Sequence, residues 1–246
     1  MITARWVAFL LGALALWSAQ LLAAGVSFSA GPAQTALIEL YTSEGCSSCP
    51  PAEDWLSNLR EDDGLWRDFV PVAFHVDYWD HLGWKDPYAS QVFTRRQYAL
   101  ASAWGSNSVY TPCFVRNGLE WRPRNSEGRG RSVGILMLSR IGLGRWRVEF
   151  EPTDTPPKLQ AHVALLAGGI VTQVRGGENA GRQLAHEFVA FALRDVVLAQ
   201  AAPGRFAAEV DLPTAAPAGA SRLAIAAWVT PAYALEPLQA VGGWIN

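Results

Sequence analysis

Cys46 and Cys49 stand two residues apart, between the apolar run Leu37-Ile38-Glu39-Leu40-Tyr41 and a helix-like stretch opened by Pro50-Pro51. A C-x-x-C pair at a strand-to-helix junction is the usual layout of a thiol–disulfide centre. The cause is electrostatic. Unpaired N–H groups at a helix start carry partial positive charge, which favours the thiolate, and the thiolate is the reactive species. Zinc sites also use C-x-x-C, but they need further ligands at comparable spacing, and no second C-x-x-C or H-x₃₋₅-H is present.

An exported chain is expected. Arg5 precedes an uncharged apolar run, Trp6 to Leu22, and small residues follow from Ala23 to Ala30. Residues 1–30 therefore read as a secretory signal peptide, cut after Ala24, Gly25 or Ala30, which implies a periplasmic or secreted protein. The alternative is an N-terminal anchor helix, since the run is nearly long enough to span a bilayer. With cleavage, no membrane association is expected. The formal charge of −2 gives no electrostatic reason to bind nucleic acid. Eleven tryptophans and a hydrophobic half of the chain argue for packed cores rather than disorder.

Periodicity supplies the elements. Ala36–Tyr41 reads as a buried strand with Leu37, Glu39 and Tyr41 on one face; Ala52–Leu59 has helical spacing; Phe69–Val76 is a second buried strand. The helix between the two strands makes them parallel. An aromatic segment, Asp77 to Trp104, ends in an amphipathic helix over Ser90–Ala103. Asn117-Gly118 between short apolar runs predicts a hairpin of Cys113–Arg116 with Leu119–Arg122. Asn125 to Arg131 reads as a polar loop, and Val133–Leu138 as a weak helix or strand. From Gly144 onward, strand-like runs cover Trp146–Phe150, Gln160–Leu166, Ile170–Val174, Leu184–Leu193, Phe206–Leu212 and Leu223–Val229, which suggests an antiparallel sandwich.

Strand, C-x-x-C, helix, strand, then Thr111-Pro112 before a hairpin: this order resembles the thioredoxin-like superfamily. Glu39 to Pro51, His75-Val76-Asp77-Tyr78-Trp79-Asp80, Leu82-Gly83-Trp84, Arg96-Gln97-Tyr98, Val109-Tyr110-Thr111-Pro112 and Gly177-Glu178-Asn179-Ala180-Gly181 resemble a secreted bacterial branch of it, a domain of unknown function. The expected class is α/β: a thioredoxin-like domain over residues 32–142 with a helical insert at about 77–104, then a smaller antiparallel β-sandwich over 143–246. The resemblance implies a cis bond before Pro112, with Thr111 and Pro112 docking substrate beside the cysteines. It also implies a buried carboxylate, Glu39, taking a proton from Cys49; the alternative for Glu39 is an exposed strand residue.

The expected function is thiol–disulfide exchange on protein or small-molecule thiols, with Cys46 attacking and Cys49 resolving, and with no cofactor. Cys46, nearer the loop, is expected to be the more exposed of the two. Trp79, with Tyr78 and Trp84, is read as a groove wall beside Cys46. A permanent structural disulfide is the plainer alternative. Cys113 is the odd thiol: a buried cysteine, or a third sulfur joining the pair. The latter would suit Cu(I), so a copper-binding or adaptor protein is the rival function. His75, Asp77 and Asp80, with His81 close by, can be read as metal ligands, but a hydrogen-bonded strand end under Tyr78, Trp79 and Trp84 explains them without one, so no metal site is expected. His162 and His186 read as structural, and Glu178-Asn179 as a turn between strands or as a contact with the thioredoxin-like domain.

Overall fold

The computed structural model describes residues 25–123, 130–154 and 158–246. Residues 1–24 of the expected signal segment 1–30, and most of the expected polar loop over 125–131, lie outside them; the rest of that segment is part of the fold, where Ser27–Ala30 pairs with a later strand. Among the described residues, fourteen strands and two α-helices alternate as follows. β1 (Ser27–Ala30) and β2 (Ala36–Thr42) precede α1 (Pro50–Asn58); β3 (Phe69–His75) precedes α2 (Gln91–Ala103). The hairpin β4 (Cys113–Arg116) and β5 (Leu119–Trp121) follows, then β6 (Gly134–Gly142), β7 (Arg145–Pro152), β8 (Leu159–Gly168), β9 (Ile170–Gln173) and β10 (Gln183–His186). The chain ends with β11 (Val189–Ala202), β12 (Arg205–Asp211), β13 (Arg222–Pro231) and β14 (Gln239–Trp244). None of these helices is long and apolar enough to cross a membrane.

The local elements follow from the chemistry of their residues. β2 is buried along its whole length and pairs in parallel with β3, Leu37 against Val70 and Tyr41 against Phe74. α1 begins at two prolines, which fit a first turn because they lack the N–H groups left unpaired there. Ser90 opens α2, its hydroxyl accepting from Val92 N at 3.3 Å. Asn117 and Gly118 both adopt positive φ, as a two-residue hairpin turn requires.

The expected architecture, an α/β thioredoxin-like domain followed by a separate β-sandwich, is overturned. The molecule is mostly β, and twelve of its strands form one mixed sheet, ordered β1-β6-β7-β12-β11-β3-β2-β4-β5, with β8, β13 and β14 branching from it. The joint is β11. Its first residue, Val189, pairs in parallel with Ala73 of β3; its body runs antiparallel to β8; its far end pairs with β12. Register shifts at Ala190/Ala192 and Gln200/Ala202 let one strand bend between these partners. From its sequence, the Leu184–Leu193 run is expected to be one short strand of a second sheet. It contains instead the end of β10 and the start of this bridging strand.

The cores follow the sheet. The first joins Leu37, Leu40, Phe74, Phe93 and Leu100 to Leu166, Phe188 and Trp228. The second packs Leu136, Val148 and Phe150 against Val163, Leu165, Ile225 and Val229. β8 and β13 send alternate residues into each core, which is why both read as continuous apolar runs rather than as alternating ones. The expected boundary near residue 142 falls at the end of β6, and the first core draws on residues from both sides of it. A fragment of residues 25–142 should therefore show no cooperative thermal transition and should bind an apolar dye. A sharp melt by circular dichroism would contradict a shared core.

Candidate functional site

β2 delivers the cysteines. After Thr42 the chain turns, Cys46 N donating to Ser43 O at 3.1 Å, and Cys49 stands at the N-cap of α1. Cys46 and Cys49 are joined by a disulfide, their Cα atoms 5.4 Å apart. Ser48 Oγ lies 3.4 Å from Cys46 Sγ. The expectation of a more exposed Cys46 fails, because both cysteines are 0 % exposed while Ser47 and Ser48 face solvent.

The covering comes from the turn between β9 and β10. Asn179, itself fully buried, donates from Nδ2 to Glu44 O at 2.8 Å and to Cys46 O at 2.9 Å. Glu178 Oε2 accepts from Ser47 N at 3.0 Å, and hydrogen bonding from the Ser47 side chain and then its backbone holds the carboxyl below the usual range. Gly177, at φ +68°, passes against the Trp84 side chain, where a Cβ would meet Trp84 Cβ at 3.1 Å. Glu178-Asn179 thus lies in a turn between strands and also bonds to the backbone of Glu44, Cys46 and Ser47.

Trp79 joins two parts of the expected docking surface. Its Nε1 donates to Thr111 Oγ1 at 2.8 Å, and its Cβ stands 3.0 Å from where a Cβ on Gly45 would lie. The Thr111–Pro112 peptide is cis. Gln97 steadies the segment, donating to Tyr110 O at 2.7 Å and accepting from Tyr78 OH at 3.2 Å.

Glu39 has other partners than a cysteine. Strand alternation puts Leu37, Glu39 and Tyr41 on the face covered by α2, whereas Thr42 and His75 point toward α1. Glu39 Oε1 accepts from Arg96 Nε at 2.6 Å and from Tyr41 OH at 3.3 Å, all three groups being buried. Cys113, opposite Tyr41 in register, shares that α2 face. Burial pushes its thiol up to about 11, with Tyr110 and Gln97 bonding to it in partial opposition.

Beneath the disulfide, on the α1 face, lies a buried polar cluster that sequence reasoning missed. His186, at the end of β10, has Nδ1 2.5 Å from Glu53 Oε2 and Nε2 3.0 Å from Glu44 Oε1. His75, at the end of β3, has Nδ1 2.7 Å from Asp86 Oδ2. Thr42 donates to Glu53 Oε1, Trp84 to Glu44 Oε2, and the backbone N–H groups of Glu44 and Tyr88 to Asp86. Burial opposes charge on His186, but Glu53 and Glu44 outweigh it and raise its pKa to about 10. Burial likewise opposes ionisation of Asp86, and His75 reverses this to hold the acid low.

The trio His75, Asp77 and Asp80 is not assembled as a ligand set. Asp77 accepts from Thr94 at 2.6 Å, Asp80 accepts from Asp86 N, and His81 is exposed. Among the described residues, one group could hold a metal, Glu53 with His75 and His186. Its signals in the sequence were His75, already a candidate ligand though with other partners, and Glu53, four residues after Cys49 and so on the same helix face. His162 is held by Asp195 and Thr230 and stacks on Trp228, a structural role.

Two solved structures are similar. An X-ray structure of a protein from Agrobacterium tumefaciens is 23% identical, covers 87% of this chain and 95% of its own, and superposes with a TM-score of 0.58. HBP35 of Porphyromonas gingivalis is 14% identical, with 87% of this chain and 76% of that one covered and a TM-score of 0.61. At these identities the likeness speaks for the fold alone. No curated protein matches the chain. A family profile matches residues 37–230, which span the cysteines, the covering turn and the buried cluster, and by that match the chain belongs to the family described as protein of unknown function (DUF1223).

Proposed function

We propose that this is an exported thiol–disulfide oxidoreductase working through Cys46 and Cys49. The observation that carries the reading is the Cys46–Cys49 bond at the first turn of α1, with the Thr111-Pro112 segment tied nearby through Trp79. A disulfide closing so short a loop constrains the unfolded chain little, so stabilisation is a weak reason for its presence. The uncharged run from Trp6 to Leu22 supports export into a compartment where such bonds persist.

In the reducing direction, the Cys46 thiolate attacks one sulfur of a substrate disulfide, forming a mixed disulfide and releasing one substrate thiolate. The Cys49 thiolate then attacks Cys46 Sγ, which restores the internal bond and frees the second substrate thiol. Two electrons pass from the cysteine pair to the substrate, and no cofactor is needed. Because Asn179 lies over Cys46, the reading includes an opening of the β9–β10 turn before attack.

The test is reduction of insulin or glutathione disulfide by the chemically reduced chain. Cys46→Ser should bring the rate to background, while Cys49→Ser should accumulate the mixed disulfide, visible by mass spectrometry. Wild-type turnover by Cys46→Ser would end the proposal.

A further inference from the structure

We propose that Glu53, His75 and His186 form a buried site for one divalent transition-metal ion of the zinc class. One ligand atom from each residue, a carboxylate oxygen and two ring nitrogens, lies within 4.8 Å of the other two. An ion at the middle of such a triangle stands about 2.8 Å or less from each atom, so shifts of under ~1 Å reach the ~2.0–2.2 Å of Zn–N and Zn–O bonds.

The surrounding bonds are those of a metal site. A ligating histidine usually gives its other ring nitrogen to a carboxylate, which fixes the tautomer and aims the free nitrogen at the ion. Both histidines are held this way. His75 Nδ1 is bonded to Asp86, and its fully buried Nε2 has no partner. His186 Nε2 is bonded to Glu44, which leaves Nδ1 toward Glu53. Glu53 in turn accepts from Thr42 through its other oxygen, Glu44 is oriented by the Trp84 indole, and Asp86 by two backbone N–H groups. An orphaned buried ring nitrogen is costly in a finished core.

Charge agrees. Glu44, Glu53 and Asp86 bring three carboxylates to a buried volume with two imidazoles. A divalent cation bound by neutral imidazoles leaves the same net charge as two imidazolium ions would. Two nitrogens and one oxygen favour zinc-class ions over calcium or magnesium, which take oxygen ligands. Three protein ligands leave the fourth tetrahedral position for a small molecule or water. The three ligands come from α1, β3 and β10, so the ion would fasten the β9–β10 hairpin, and with it the turn over Cys46, to the helix that carries Cys49.

The experiment is Co²⁺ titration of the oxidised, chelator-treated full chain, followed by the visible spectrum and then by Zn²⁺ displacement. One equivalent with a four-coordinate spectrum is expected. Asp86→Asn, which spares the ligands, should weaken binding about 10- to 100-fold. His75→Gln, with its fold checked by circular dichroism, should abolish it. The Cys46→Ser/Cys49→Ser/Cys113→Ala variant should bind as wild type does, which separates this result from that of the redox proposal. No uptake by wild type, or equal uptake by folded His75→Gln, would overturn the site and leave a proton shared between His186 and Glu53.

Discussion

Arg96→Ala should destabilise the protein by about 3–5 kcal/mol, the usual cost of leaving one partner of a buried ion pair uncompensated. Arg96 reaches from α2 to the floor of the first core, where its Nε meets Glu39 Oε1 at 2.6 Å. Neither side chain has meaningful access to water. Glu39 Oε2 and Arg96 Nη2 also lack hydrogen-bond partners, so the pair is only partly satisfied. Glu39 outweighs burial in keeping the guanidinium charged. Remove it and a carboxylate remains in an apolar layer. The double change Glu39→Leu/Arg96→Met should recover most of the loss, because apolar isosteres often match or exceed a buried pair. Urea unfolding followed by far-ultraviolet circular dichroism measures both. A loss below ~1 kcal/mol for Arg96→Ala would mean that water reaches Glu39.

Trp228→Ala should cost a similar ~3–5 kcal/mol, for a different reason. The indole is fully buried on β13, stacked on His162 at 5.3 Å, edge-on to Phe74 at 6.5 Å, with Arg96 Cζ 5.0 Å from its ring. Truncation removes a large apolar volume that neighbours on β3, α2 and β8 cannot refill together. The Nε1 of Trp228 has no partner, so Trp228→Phe, which deletes that orphan and keeps an aromatic ring, should retain most of the stability. Since Trp228 touches Arg96, Trp228→Ala and Arg96→Ala should be non-additive in a double-mutant cycle. Strict additivity would show that the guanidinium and the indole do not share one environment.

What was legible in the sequence is what neighbouring residues decide. Alternation placed Glu39 with Tyr41 on one face of β2, and the Asn117-Gly118 pair marked its hairpin. The apolar spacing after Pro50-Pro51 located α1. Which helix covers which face is a question of distant packing, and there the reading of Glu39 as a partner of Cys49 met Arg96 instead. β11 was illegible for the same reason, because nothing local in Val189–Ala202 says that its first residue will pair with Ala73. β1 falls within the residues read as a signal peptide, and β14 was too glycine-rich to stand out. The buried cluster was hardest to see. Glu44, Glu53, His75, Asp86 and His186 come from separate segments, and each alone looks like an ordinary loop, helix or strand-end residue.

The pairing of Val189 with Ala73 has a consequence for how this molecule comes into being. The strand that completes one side of β3, and the indole that fills the adjoining core, lie far downstream of β3 and are synthesised after it. Sheets closed by such distant partners form slowly, and their early segments stay uncollapsed until the late ones arrive. Until the β9–β10 hairpin is made, Cys46 and Cys49 have no turn above them, so an oxidant or a thiol reaches their sulfurs more readily in the nascent chain than in the finished fold.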